Sequence, residues 1–252
     1  MEFHSRRLSG DGITVAIIDS GIDVRDPRLS GTRIEGFNIR FGATGHAFLG
    51  ADFHDESGHG TEVASAVHRM APTARLLAVK IMDARLRTTA DLMAAGIETA
   101  YRNGAQVINL SLGTSNMGKA LLLRDCCALA VEAGSTIVAA AHPKGERAYP
   151  ADLPEVVGVF AHPECPFEKC WWFDPETYPA AQWKGLSGKF MACGYAFPLP
   201  GVSTGRIWRG SGIATAYMAG RIACLRQADA HGSIVASLRE IALVPAPDAG
   251  YR

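Results

Sequence analysis

ITVAIIDSGID (residues 13–23) is an apolar run that stops at a carboxylate, Asp19, and then turns on Ser20-Gly21. So short a run, bounded by a turn signal, fits a strand buried on both faces better than a helix. Four more runs of this kind follow: ARLLAVKIM (74–82), AQVINLSLG (105–113), STIVAAA (135–141) and EVVGVFA (155–161). Between them lie helical patterns over 59–70, closed by Pro72, over 89–102, closed by Asn103-Gly104, and over 119–132, closed by Gly134. Alternation of this type predicts an α/β fold: a central, mostly parallel sheet with helices on both faces. Ligands of such sheets sit beyond the carboxyl ends of the strands, so the strand ends are where chemistry is expected.

The chain has 252 residues, read as one domain over 1–252, and its 48% hydrophobic content is enough for a large core. Twenty-five basic residues balance twenty-five acidic ones, so no net charge steers it toward nucleic acid or an anionic membrane. No run reaches the length of a membrane span, and the N-terminal stretch lacks the apolar core of an export signal. The six cysteines are expected as reduced thiols, which points to a cytoplasmic protein.

Three strand ends carry candidate chemistry. The first delivers Asp19, the third ends in Asn109-Leu110-Ser111-Leu112-Gly113, and the fourth in Ala140-Ala141-His142-Pro143. SGHGTEVASAV (57–67) places His59 at a helix start among small residues, and RGSGIATAYMAG (209–220) is a glycine-flanked helix start late in the chain. Aspartate, histidine and a small-residue helix start, in this order, suggest the parts of a catalytic triad.

Together these words resemble the subtilisin-like (S8) family of serine peptidases. VAIIDSGID is similar to that family's aspartate motif, GHGTEVAS to its histidine motif, INLSLG to its substrate-binding strand and GSGIATAYMAG to its serine motif, over roughly residues 10–226. The resemblance implies the family's three-layer fold and no cofactor or metal. It makes Asp19 the orienting carboxylate and His59 the base, and it makes Ser111, Leu112, Gly113, Ala140 and Ala141 the substrate-binding walls. It also implies an extended peptide added as a strand beside Ser111-Leu112-Gly113.

The resemblance fails where the nucleophile belongs. Gly212 occupies the position of the family's serine, and the neighbouring Ser211 is displaced by one residue, about 100° around a helix. Pro143 stands where the family has an asparagine whose side chain donates to the oxyanion, and proline has no N–H to offer instead. His142 replaces a glycine beside it; the ring either donates to the oxyanion or narrows the pocket, and the steric reading is favoured. Ala216 and Tyr217 replace the usual Pro-His.

The expectation is therefore a subtilisin-like domain inactive as written, a pseudoprotease that binds an extended peptide or a partner protein. The alternatives are a cytoplasmic endopeptidase whose serine was replaced, and a scaffold subunit with a filled cleft. A recognisable domain beginning within about a dozen residues of Met1 fits a protein needing no inhibitory pro-segment. The aromatic-rich stretch 162–183 is expected to fill core beneath a long loop, with His162, Cys165 and Cys170 too few for a zinc site. Asp52, His54, Asp55 and Glu56 are expected in a solvated loop, their spacing fitting no standard calcium loop.

Overall fold

The computed structural model describes residues 2–3, 6–42, 47–173, 189–196 and 208–243. In chain order the strands are β1 (Glu2–Phe3), β2 (Arg6–Arg7), β3 (Thr14–Asp19), β4 (Ile34–Phe41), β5 (Ala47–Gly50), β6 (Arg75–Lys80), β7 (Val107–Leu110), β8 (Thr136–Ala140), β9 (Val157–His162), β10 (Trp171–Phe173) and β11 (Lys189–Cys193). The helices are α1 (His59–Met70), α2 (Ala90–Arg102), α3 (Ala120–Glu132), α4 (Ser211–Ala228) and α5 (Ile234–Ile241). Apart from the β1–β2 ribbon, the strands form one sheet in the order β10-β11-β9-β8-β7-β3-β6-β4-β5. Pairing is parallel from β11 through to β4 and antiparallel only at the two edges, β10 on β11 and β5 on β4.

Period-two alternation explains the three layers. Val15 and Ile17 of β3 face one side with Leu76, Ala78, Val107 and Val138, where α1 and α4 cover them through Val63, Val67, Ile213 and Tyr217. Ala16 and Ile18 face the other side with Leu77, Val79, Ile108 and Ile137, under Met93 and Ile97 of α2 and Leu123 and Cys127 of α3. With both faces covered, the central strands carry apolar residues at most positions, with polar ones mainly at their ends, which is why they read as nearly unbroken runs. Thr89 caps α2, its hydroxyl accepting the Leu92 N–H at 3.2 Å.

The strands and helices expected from the sequence are all present, with no end moved by more than three residues. Seven further elements were not anticipated: β1, β2, β4, β5, β10, β11 and α5. In the aromatic-rich stretch, Trp172 meets Phe190 edge-on at 4.8 Å and Trp171 tilts against His162 at 4.6 Å, so both pack on core residues as expected. Trp183 lies outside the described residues. Among the described residues no group of histidine, cysteine and carboxylate side chains could hold a metal ion, and no helix is long and apolar enough to cross a membrane.

Candidate active site

β3 delivers Asp19 to the carboxyl edge of the sheet, where it is fully buried. Its Oδ1 accepts the Ser20 N–H at 2.7 Å and pairs with Nδ1 of His59 at 2.7 Å. Gly21, at φ 110°, then turns the chain away, a conformation that disfavours any side chain. The turn also brings the Gly21 carbonyl against Gly60, where a Cβ would overlap it. α1 can enter the site this closely only because both residues are glycine.

His59 is the first residue of α1, and an aspartate fixes that helix end. Asp55 Oδ1 accepts from Ser20 Oγ at 2.9 Å, Ser57 N–H at 3.0 Å and Gly58 N–H at 2.9 Å. Its Oδ2 accepts from the Thr61 N–H at 2.8 Å and hydroxyl at 2.7 Å. Ser20 Oγ in turn accepts the Gly60 N–H at 2.9 Å, so one network ties the neighbour of Asp19 to the first turn of the helix that carries His59. Burial pushes the Asp55 carboxyl up, but the hydrogen bonds from Thr61, Gly58 and Ser20 outweigh it and hold the group below the usual carboxylate range. Asp55 is thus 6% exposed and structural, which corrects the expectation of a solvated 52–56 loop. Asp52 and Glu56 do remain exposed.

The late glycine-flanked segment enters through Gly210 and begins α4 at Ser211. Ser211 is turned toward β9: its Oγ accepts the Ala161 N–H at 3.4 Å and it is 8% exposed. Gly212, one residue on, faces the histidine. A Cβ built there would lie 3.6 Å from His59 Nε2, with the Ser111 carbonyl oxygen at 3.1 Å and Ser111 Cβ at 3.2 Å. Ser111 Oγ donates to the Gly212 carbonyl at 3.2 Å and accepts from Asn109 Nδ2 at 2.9 Å, which anchors the β7 exit to the start of α4.

These groups open onto a cleft of about 560 Å³. One wall is Ser111, Leu112 and Gly113, followed by Thr114, which exchanges two backbone hydrogen bonds with Tyr149 at 2.9 Å. The opposite wall is Ala140, Ala141, His142 and Pro143. His142 is occupied within its own loop: Nδ1 accepts the Lys144 N–H at 3.3 Å and Nε2 lies 3.8 Å from the Glu146 carboxylate. Pro143 is exposed and carries no donor.

Two participants were missed in the sequence. Trp208 stands edge-on to the His59 ring at 4.9 Å and lines the cleft, yet a lone aromatic ahead of Arg209-Gly210 has no pattern to mark it. Asp55 had a legible signal, an aspartate shortly ahead of a helix start, the arrangement that caps helices.

A buried carboxylate on one imidazole nitrogen, a helix start facing the other and an open cleft beside both are the framework of a hydrolase of the Asp–His–Ser class. The model of the peptidase S8 (subtilase) family matches residues 10–246, and the chain belongs to that family. It is 34% identical to subtilisin E of Bacillus subtilis over 173 residues, which is 63% of this chain and 43% of that protein. It is 33% identical to the thermostable alkaline protease of Halalkalibacterium halodurans over 172 residues, 63% of this chain and 44% of that one. The matched part thus spans less than half the length of these relatives. Among solved structures, a cold-adapted subtilisin-like serine proteinase superposes with a TM-score of 0.65 at 19% identity, over 90% of this chain and 80% of the other. The prenylagaramide maturation protease PagA gives 0.61 at 25% identity, over 85% and 75%.

Proposed function

We propose that this chain is a subtilase domain without peptide-bond hydrolysis, a pseudoprotease that holds an extended peptide or a segment of a partner protein. The observation that carries the reading is the position of Gly212, whose absent side chain would have pointed at His59 Nε2. An imidazole activates a serine by taking its hydroxyl proton, and here no side-chain hydroxyl stands in that place. Loss of the nucleophile costs a peptidase of this kind about six orders of magnitude in kcat. Pro143 removes an oxyanion donor as well, a further factor of about 10²–10³ where the rest of the machinery is intact.

Binding has separate support. The main-chain groups of Leu112 and Gly113 make no hydrogen bond among the described residues, and Gly113 is exposed at the cleft wall. An extended peptide can add there as a strand, with main-chain hydrogen bonds supplying affinity and the cleft supplying side-chain selection. Equal acidic and basic counts support a peptide or protein partner over nucleic acid, and six free cysteines support a cytoplasmic setting. A casein digest passed over the immobilised protein is expected to leave retained peptides uncut; absence of any retention removes the binding role, and new termini in the eluate remove the inactivity.

A second reading, an endopeptidase whose serine was replaced, draws support from the Asp19–His59 pair, which keeps its 2.7 Å bond without a nucleophile to serve. Restoring the serine separates the two, as argued below.

A further inference from the structure

We propose that the open edge of the sheet, strand β5, pairs with β5 of a second copy of this chain. The two ends of the nine-stranded sheet differ. Beside β10, the Trp172 N–H donates to the Leu243 carbonyl at 3.0 Å and the Leu243 N–H to the Cys170 carbonyl at 3.0 Å, so a further stretch of chain closes that end. β5 pairs with β4 alone, and among the described residues no strand adds to its outer side. Open edges are ordinarily blunted by a charged residue, a proline or a bulge. Ala47–Gly50 has none of these: its register on β4 is unbroken and all four residues are exposed. Leu49 and Phe48, at 60% and 59%, are the most exposed large hydrophobic side chains among the described residues. The shortness of β5 limits the strength of an association, not its choice of partner.

The register of the hairpin favours a second copy as the occupant. Ile39 lies opposite Leu49, Arg40 opposite Phe48 and Phe41 opposite Ala47. A twofold axis through Phe48, perpendicular to the sheet, sets that ring against the partner's Phe48 on one face. On the other face it carries Leu49 opposite the partner's Ala47, so the row from Ile39 and Leu49 to the partner's Ala47 and the partner's Phe41 is apolar across four strands, as is its symmetry mate. An axis at Leu49 would instead set Phe48 against the partner's Gly50 and leave the ring without a facing side chain. Arg40 is the one charged residue in the paired stretch, and it sits a strand back from the seam. The arginines of the two copies then lie three strand spacings apart, about 14 Å, beyond the screening length of about 8 Å at physiological ionic strength. The seam therefore joins apolar side chains without opposing charge, and each β5 supplies the main-chain partners that the other lacks.

Sedimentation velocity of the full chain, from about 2 to about 500 μM, is expected to show reversible dimers with a Kd on the order of 50 μM, as a small apolar seam allows. Leu49→Lys and Phe48→Lys put a charge at the seam and should each weaken association about tenfold or more. Circular dichroism and thermal melts should stay unchanged, because both side chains are exposed in the single copy. Register is read by mild copper–phenanthroline oxidation: Phe48→Cys should give an interchain disulfide, and Leu49→Cys, facing the partner's Ala47, about tenfold less. The unaltered chain, with Cys126 half-buried, sets the background. A chain that stays monomeric over the whole range overturns the proposal and leaves the edge to a strand of another protein. Dimers that both lysine variants leave intact overturn it too and place the contact elsewhere. Equal cross-linking at the two cysteine positions overturns the axis at Phe48.

Discussion

Gly212 faces the His59 ring, with a Cβ at residue 212 falling 3.6 Å from Nε2, the geometry the proposed nucleophile position requires toward its base. Gly212→Ser would put a hydroxyl within reach of that nitrogen, but the new Cβ meets the Ser111 carbonyl at 3.1 Å and Pro143 offers the oxyanion nothing. The revertant is expected to hydrolyse a peptide ester measurably yet about 10²-fold or more below an intact site. A vigorous single revertant would favour the replaced-serine reading instead.

Repairing the oxyanion side should add to that gain. Gly212→Ser combined with Pro143→Asn and His142→Gly is expected to raise kcat/KM by about 10²-fold over the single revertant. Freeing the loop of the fixed φ of proline and of the His142–Glu146 contact gives the new amide a path into the cleft. A triple variant no better than the single one would assign the oxyanion another donor.

Asp55 should matter to stability as much as to geometry. Asp55→Ala strands the Gly58 and Thr61 N–H groups at a buried helix start and is expected to cost about 3 kcal/mol in denaturant melts. Because the folded-state carboxyl lies below its ordinary value, its contribution is complete at neutral pH. It fades as pH falls below about 4 and through the lower folded value. Asp55→Asn should flatten that part of the acid limb.

Two glycines at the same helix start make a matched test of close approach. Gly60→Ala drives a methyl into the Gly21 carbonyl and is expected to cost about 3 kcal/mol, shifting His59 away from Asp19. Gly58 has φ 83° but open space around its Cβ position, so Gly58→Ala should cost only about 1 kcal/mol and leave the pair intact. Thermal melts with NMR of the His59 ring separate the two outcomes.

What could be read in the sequence followed burial. β3, β6, β7, β8 and β9 are covered on both faces, so their apolar runs announced the sheet and its direction. β4 lies between β6 and the edge strand β5 with Ile39 its one buried residue, so it reads as the alternation Phe37-Asn38-Ile39-Arg40-Phe41 of a half-covered strand rather than an unbroken apolar run, and β5 is exposed throughout. The site divides in the same way. Asp19, His59 and Gly212 stood in recognisable local words, whereas Trp208 reaches His59 only through the tertiary fold. Asp55 stood shortly ahead of a helix start, which is a capping signal, but Asp52, His54 and Glu56 share the same stretch and only the tertiary fold singles out the carboxylate that the helix end buries.

The proposed loss of hydrolysis at Gly212 is tested most directly on the unaltered chain. Incubated with casein and with a peptide ester, and followed by mass spectrometry, it should yield no product above the solvent rate, take up no active-serine phosphonate label, and be unaffected by Ser211→Ala, since Ser211 Oγ is turned to the Ala161 N–H. Turnover and labelling that both vanish in Ser211→Ala would contradict the account, because Ser211 would then be the nucleophile and Gly212 merely its neighbour.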